Sequence, residues 1–222
     1  DLTILSGTLA AGTNLTMATN TAINMSGGSI TGTLQSNNAY DVFYTGGSFS
    51  TSGELSGTGL RDIDVNQTNA TDVVTLTQNW APDGSVVLNN GTFDLGSFTF
   101  NRSAAGGNFK VKNGATLRIG GTNGLPSNYS SITMSSTTAT IDFNGTNQSV
   151  AALPGGDQYT ILILSGSGIK AIGAGITVNV LLSVQGTSVT TSGSTPTYIA
   201  AAILEYKGTG AQSTGVEFGG AG

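Results

Sequence analysis

Few residues of this 222-residue chain could do chemistry. It has no histidine and no cysteine, which removes most catalytic triads and most zinc sites. Carboxylates remain. Asp62 and Asp64 stand two apart in Arg61-Asp62-Ile63-Asp64-Val65, so a strand would carry both on one face. Such a pair suits Ca²⁺ binding or glycoside hydrolysis. The plainer reading makes them surface residues flanking an inward Ile63, balanced by Arg61, and it is preferred. Glu205-Tyr206-Lys207 sets an acid, a phenol and an amine side by side. Asp83-Gly84 reads as a turn. Asp94, Asp142 and Glu205 each sit between apolar residues and are expected to point outward from strands. No catalytic, cofactor-binding or metal-binding residue is assigned, and the chain is expected not to be an enzyme.

Binding residues are the next candidates. Trp80, Tyr40, Tyr44, Tyr129, Tyr159, Tyr198 and Tyr206 could form a carbohydrate platform, although a lone Trp in a repeat protein more often packs in the core or at an edge. Phe98, Phe100, Phe109 and Phe143 are expected to stack in the interior. Threonine-rich faces raise ice binding, but Thr75-Leu76-Thr77 occurs once and Thr137-Thr138-Ala139-Thr140 is irregular, so no regular rank is expected. Sequons at Asn14, Asn66, Asn69, Asn90, Asn101, Asn128, Asn144 and Asn147 follow from a composition rich in Asn, Thr and Ser. Asn90-Gly91, Asn113-Gly114 and Asn144-Gly145 are better read as turns.

The elements that would position these residues follow from the composition. Only 9% of residues are charged, 37% are apolar and 34 are glycine, about twice the usual share of glycine. Disorder pairs low hydrophobicity with high net charge, and neither holds here, so an ordered fold with an uncharged hydroxyl- and amide-rich surface is expected. The net charge is −5 and the seven basic residues are scattered, which argues against a nucleic-acid partner. No stretch is long and apolar enough for membrane insertion. The chain starts at Asp1 and stops at Gly-Val-Glu-Phe-Gly-Gly-Ala-Gly just after a repeat marker. A mature product, an excised piece or a subunit continuing onto its neighbour is therefore expected.

Apolar residues alternate in short runs, as in Leu2-Thr3-Ile4, Leu15-Thr16-Met17, Phe98-Thr99-Phe100, Leu117-Arg118-Ile119 and Ile176-Thr177-Val178. Period two means strand, and the Gly, Asn, Ser and Asp between the runs accept turns. Helix competes only at Ile199–Leu204, where a strand is expected. A Gly, one or two small residues and an apolar residue recur as Gly7-Thr8-Leu9, Gly28-Ser29-Ile30 and Gly47-Ser48-Phe49, then as Gly91-Thr92-Phe93 and Gly114–Leu117. The spacing of about 20 residues matches one coil of a parallel β-helix. A longer repeat links Tyr44-Thr45-Gly46-Gly47, Ile141–Val150 and Leu204–Thr214. Phe143 and Tyr206 are expected three coils apart, and Tyr44 and Tyr206 about eight. Val87–Phe93 matches Leu182–Val189, and Leu60–Val65 matches Tyr159–Leu164.

The fold expected is all-β: one elongated parallel β-helix of about ten coils over 1–222, right-handed by the general preference for parallel crossovers. Imperfect modules fall near 1–41, 42–140 and 141–203, with another starting at 204–222. Repeated β-sandwiches are the alternative.

Several segments together carry a resemblance. They are Asp142–Val150, Leu164–Lys170 and Ile176–Val178, with the earlier Val42–Gly47, Gly53–Leu55, Leu60–Ile63, Thr75–Trp80 and Phe93–Gly96. The pattern resembles the β-strand repeats of very large secreted surface proteins of Bacteroidetes-type bacteria. More distantly it is similar to filamentous-haemagglutinin-type and autotransporter-type adhesin stalks. The resemblance implies export to the bacterial cell surface as stalks or filaments serving adhesion, biofilm or surface motility. Other segments or copies of the same surface protein, polysaccharide, or a host or neighbouring cell surface are the partners it implies. The competing expectation is a carbohydrate-binding β-helix with polysaccharide hydrolase or lyase ancestry.

Overall fold

A computed structural model describes residues 1–12, 15–199 and 201–219. The sequon at Asn14, and Ala200 within the Ile199–Leu204 run, lie outside the described residues. The chain winds into a parallel β-solenoid of about ten turns, with no α-helix among the described residues. At about 4.8 Å per turn this makes a rod roughly 50 Å long. Every strand pairing among the described residues is parallel, which excludes the antiparallel β-sandwich.

The first ladder stacks β1 (Leu2–Ile4), β3 (Thr21–Met25), β5 (Tyr40–Tyr44), β7 (Leu60–Asn66), the start of β9 (Val86–Asp94), β10 (Gly106–Lys112) and β12 (Tyr129–Ser135). The second runs through β6 (Phe49–Ser50), β8 (Val73–Thr75), the end of β9, β11 (Ala115–Ile119), β13 (Thr140–Phe143), β15 (Tyr159–Leu164), β17 (Thr177–Val189), β18 (Thr197–Tyr198) and β19 (Ile203–Gly208). A third joins β14 (Thr146–Val150), β16 (Ser167–Ile172) and the end of β17. A separate pair near the start joins β2 (Thr8–Ala10) to β4 (Ser29–Thr31).

Register gives the coil length directly, and the coils are unequal. The coil that brings Met25 beneath Tyr44 is shorter than the one that brings Phe93 beneath Leu117. Two expected matches are true neighbours: Leu9 pairs with Ile30, and Phe93 with Leu117. Phe143, Leu164, Val184 and Tyr206 stack in one file, so Phe143 and Tyr206 are indeed three coils apart. Tyr44 differs, because it lies in the first ladder while Tyr206 lies in the second. Their separation is thus not a whole number of turns, and the expected eight coils is corrected. The pair Val87–Phe93 and Leu182–Val189 is offset in the same way. β9 rounds the corner from the first ladder to the second, and β17 the corner from the second to the third. Likewise Leu60–Val65 lies in the first ladder and Tyr159–Leu164 in the second.

The core is a set of side-chain files. Ile4, Met25, Tyr44, Val65, Leu88, Val111 and Met134 form one, and Val74, Phe93, Leu117, Ile141, Leu162 and Leu182 another, all buried. Each such side chain contributes about 1.5–3 kcal/mol when fully buried. One turn places only a few there against the backbone entropy of its whole length, so turns are stable only stacked.

Glycines build the corner that follows the second ladder. Thr146, Ser167 and Thr187 donate their N–H groups to Gly121, Gly145 and Gly166 oxygens one turn below, at 2.7–3.1 Å. Gly186 pairs with Gly208 to continue the file. A Cβ on Gly145 would lie 1.9 Å from Gly121 O, so the corners nest only without side chains. The recurring Gly-Thr or Gly-Ser is therefore a corner followed by a hydroxyl, and Thr146 and Ser167 hydroxyls bond to each other at 2.7 Å.

Several expected elements differ. Leu15–Met17 is not a strand, and Phe98–Phe100 makes only a single bridge, Trp80 to Phe100. On that side backbone groups are satisfied partly by asparagine side chains, as described below. The Ile199–Leu204 run is broken by a turn: Ala201 has φ 75° and Ala202 donates to Ile199 O, so β19 starts only at Ile203.

Candidate functional site

The outward carboxylates tie turns together. Asp62 and Asp64 do share the outer face of β7. Asp62 Oδ1 accepts the Ser85 N–H at 2.6 Å, and both oxygens of Asp64 accept from Asn89 Nδ2 at 2.8 Å. Asp41 is clamped by Arg61 through two bonds of 2.7 and 2.8 Å. Among the described residues no three acidic side chains converge as a metal site. Asp94, Arg118 and Asp142 form an alternating-charge file, at 3.6 and 3.4 Å. Asp142 points outward from its strand as expected, between the inward Ile141 and Phe143, but it is covered there and only 8% exposed. Burial raises its pKa, opposed by the Ser165 hydroxyl and Arg118. Glu205 lies on the half-buried face of β19, where it pairs with Lys207 at 2.9 Å and accepts from Ser183.

The tyrosines also depart from the platform reading. Tyr40, Tyr44, Tyr129 and Tyr159 are buried in the core, and Tyr198 and Tyr206 are half-buried. Phe100, Phe109 and Phe143 are interior as expected, whereas Phe98 is only partly covered.

Two buried glutamates escaped sequence reasoning. Glu54 sits in a short 3-10 turn, Gly53–Leu55, with its carboxylate turned inward and fully buried. It accepts from Tyr44 OH (2.7 Å), the Ser52 N–H (2.8 Å) and Ser52 Oγ (2.7 Å), while Tyr40 OH donates to its main-chain oxygen at 3.0 Å. Glu217, in the 3-10 turn Val216–Phe218, repeats the device. It accepts from Tyr206 OH (2.5 Å), the Gly215 N–H (2.9 Å) and the Thr190 hydroxyl, and Tyr198 OH donates to its main-chain oxygen at 2.6 Å. Burial works against the Glu217 charge, but the Thr190, Tyr206 and Gly215 hydrogen bonds outweigh it and hold the pKa below the ordinary range. The sequence signal is a Tyr that precedes a Glu by about half a coil, Tyr44 before Glu54 and Tyr206 before Glu217, with Gly-Glu or Gly-x-Glu at the end.

Amides plug the corners in a related way. Gln148 accepts from the Gly145 N–H at 2.8 Å and donates to Ile119 O and Asn123 O at 2.9 Å. Gln212 accepts from the Gly208 N–H at 2.6 Å. Lys170, fully buried beside Gln148, donates to its Oε1 at 2.6 Å and to Gly145 O at 2.7 Å. Burial pulls its pKa down to about 8, against the pull of Asp142.

One side of the solenoid carries no continuous ladder, and a hollow opens there. It is about 580 Å³, within the ~300–1,000 Å³ range of ligand clefts. Three successive turns line it: Ile30–Thr33 with Gly32, then Ser52, Gly53 and Ser56, then Thr77, Gln78 and Trp80. A second hollow of about 270 Å³ lies on the next turns, between Phe98–Asn101 and Thr122–Ser127. The Trp80–Phe100 bridge separates the two, with the main-chain N–H of Trp80 donating to Thr99 O at 3.1 Å. Asparagines take the place of strand bonds on this side. Asn79 Oδ1 accepts the Thr99 N–H, Asn101 Oδ1 the Ser127 N–H, and Asn123 Nδ2 donates to Phe98 O. These asparagines recur once per coil, a signal available in the sequence.

Trp80 is the distinctive residue of this side. Its Nε1 is the one buried side-chain polar atom without a hydrogen-bond partner among the described residues. A buried donor left unpaired costs about 1–3 kcal/mol, so phenylalanine would serve packing better here. Neither hollow is lined by a charged side chain. Compared with protein-family models, curated proteins and solved structures, the chain finds no significant match in any of the three.

Proposed function

We propose that this solenoid is a non-catalytic structural and adhesive segment of an extracellular bacterial surface protein, stacking end to end on further segments or copies of that protein. The placement of exposed apolar groups carries the reading. Of five large apolar side chains left exposed among the described residues, Leu5 (71%) lies on the first turn, and Ile199, Ile203 (60%) and Phe218 (64%) lie on the last. The flanks instead present hydroxyls, amides and carboxylates that bond from one turn to the next. An open parallel edge accepts another parallel strand, and head-to-tail contact of this kind extends without closing.

Small-angle scattering over a concentration series tests the stacking. The rod is expected to lengthen in steps of roughly 50 Å at constant cross-section. The double variant Ile203→Lys, Phe218→Lys is expected to remain single rods. Thickening by side-to-side association, or single rods at every concentration, would contradict the reading.

A further inference from the structure

We infer that the unladdered side of the solenoid is a binding trough for a neutral, hydroxyl-rich oligosaccharide lying along the rod axis, with Trp80 as its stacking platform. Three independent features converge on this ligand class. The first is chemical. Both hollows combine aromatic rings, Trp80 and the partly covered Phe98, with hydroxyls and amides, and neither is lined by a charge. A pyranose offers an apolar C–H face for a ring and an equatorial belt of hydroxyls for such groups. An acidic glycan would find no cation in the lining to offset its desolvation.

The second is the state of the polar groups. Thr31, Thr33 and Gln78 are exposed in the larger hollow, and among the described residues their side chains make no hydrogen bond. Two other hydroxyls of the hollow are already engaged, Thr77 with Thr51 O and Ser56 with Gly53 O. Glu54 turns its carboxylate away into the core. The wall thus combines fixed groups with unengaged ones, an arrangement that positions a ligand on a rigid scaffold.

The third is Trp80 itself. A tryptophan whose N–H is buried without an acceptor is not the choice core packing would make. Trp80 lines the larger hollow, and its main chain bridges to Phe100, which lines the smaller one. Turns repeat along the axis at about 4.8 Å, close to the length of one linked pyranose unit, so successive sugars would meet equivalent groups on successive turns.

The inference gives the adhesive reading above its ligand class, and the two can fail separately. A chain that binds no glycan can still stack into rods, and one that does not stack can still respond at Trp80. Because the chain has a single Trp, its emission reports this trough alone. The test titrates the chain with β-1,4-linked hexasaccharides of glucose, mannose and xylose, and with hexagalacturonate as the acidic counterpart. At least one neutral hexasaccharide is expected to give a saturable emission change, with the acidic one at least roughly tenfold weaker. By calorimetry, Trp80→Ala is expected to weaken that binding by roughly tenfold or more. Trp80→Phe is expected to lose less affinity and to melt no lower than the parent chain. No emission change with any neutral hexasaccharide up to about 10 mM would overturn the inference. So would undiminished binding by Trp80→Ala, or equal binding of the acidic chain.

Discussion

Replacing Gly145 with alanine is expected to destabilise the solenoid by more than about 3 kcal/mol. The new Cβ would stand 1.9 Å from Gly121 O, 2.6 Å from Gly121 N and 2.7 Å from Gly120 C. All three are backbone atoms of the turn below, so no side chain can swing away. Relief requires the two turns to part, which breaks the bond from the Thr146 N–H to Gly121 O and disturbs the Gln148 and Lys170 plug beside it. Gly47→Ala is the matched control, because nothing lies within 4 Å of its added Cβ. It is expected to stay within about 0.5 kcal/mol of the parent. Urea unfolding of the three proteins checks this. Equal midpoints for Gly145→Ala and the parent would show that the corner is looser than its geometry.

Glu54→Ala is expected to cost about 3–5 kcal/mol. Removing the carboxylate leaves Tyr44 OH, the Ser52 N–H and Ser52 Oγ facing a buried void with no acceptor. Glu54→Gln keeps one oxygen and is expected to lose roughly half as much. Burial and the neighbouring Glu54 push the Tyr44 phenol well above its ordinary pKa, so the phenol remains a donor at any ordinary pH. The Glu217 pair of variants should follow the same order with smaller losses. That site lies on the last described turn, where Phe218 is 64% exposed and local opening is easier. Thermal midpoints of the four variants give the comparison. Equal loss from Glu54→Ala and Glu54→Gln would show that the hydrogen bonds contribute little beyond packing.

Much of the fold was legible because the solenoid repeats what its sequence repeats. Period-two runs, turn residues and a recurrence of Gly-Thr or Gly-Ser once per coil specify short stacked strands, and Leu9 with Ile30 and Phe93 with Leu117 are real neighbours. The angular position of each repeat was not legible. Tyr44 and Tyr206 begin similar segments, yet they lie in different ladders, because coils of unequal length accumulate an offset that spacing alone cannot fix. Side-chain polarity also misplaces Lys170. In Ser167–Ile172 an apolar rule puts Ile169 inside, but Ile169 is 42% exposed and Lys170 is fully buried. The corner carbonyl of Gly145 and the Gln148 amide make a polar pocket that suits an ammonium better than an isoleucine.

The candidate site was legible only in part. The sequence singles out Trp80 as the lone tryptophan, but not the two hollows beside it, which arise where the third side of the rod lacks a ladder. The file of Asn79, Asn101 and Asn123, one per coil, marks that side and is hidden among many other asparagines. Glu54 and Glu217 sit in 3-10 turns, where neither strand nor helix periodicity applies.

The proposed placement of the protein outside the cell is tested most directly by antibody labelling of the cells that make it, intact and permeabilised. The reading of this solenoid as an extracellular structural segment predicts strong labelling of intact cells, lost after brief protease treatment of the surface. Labelling seen only after permeabilisation would contradict it.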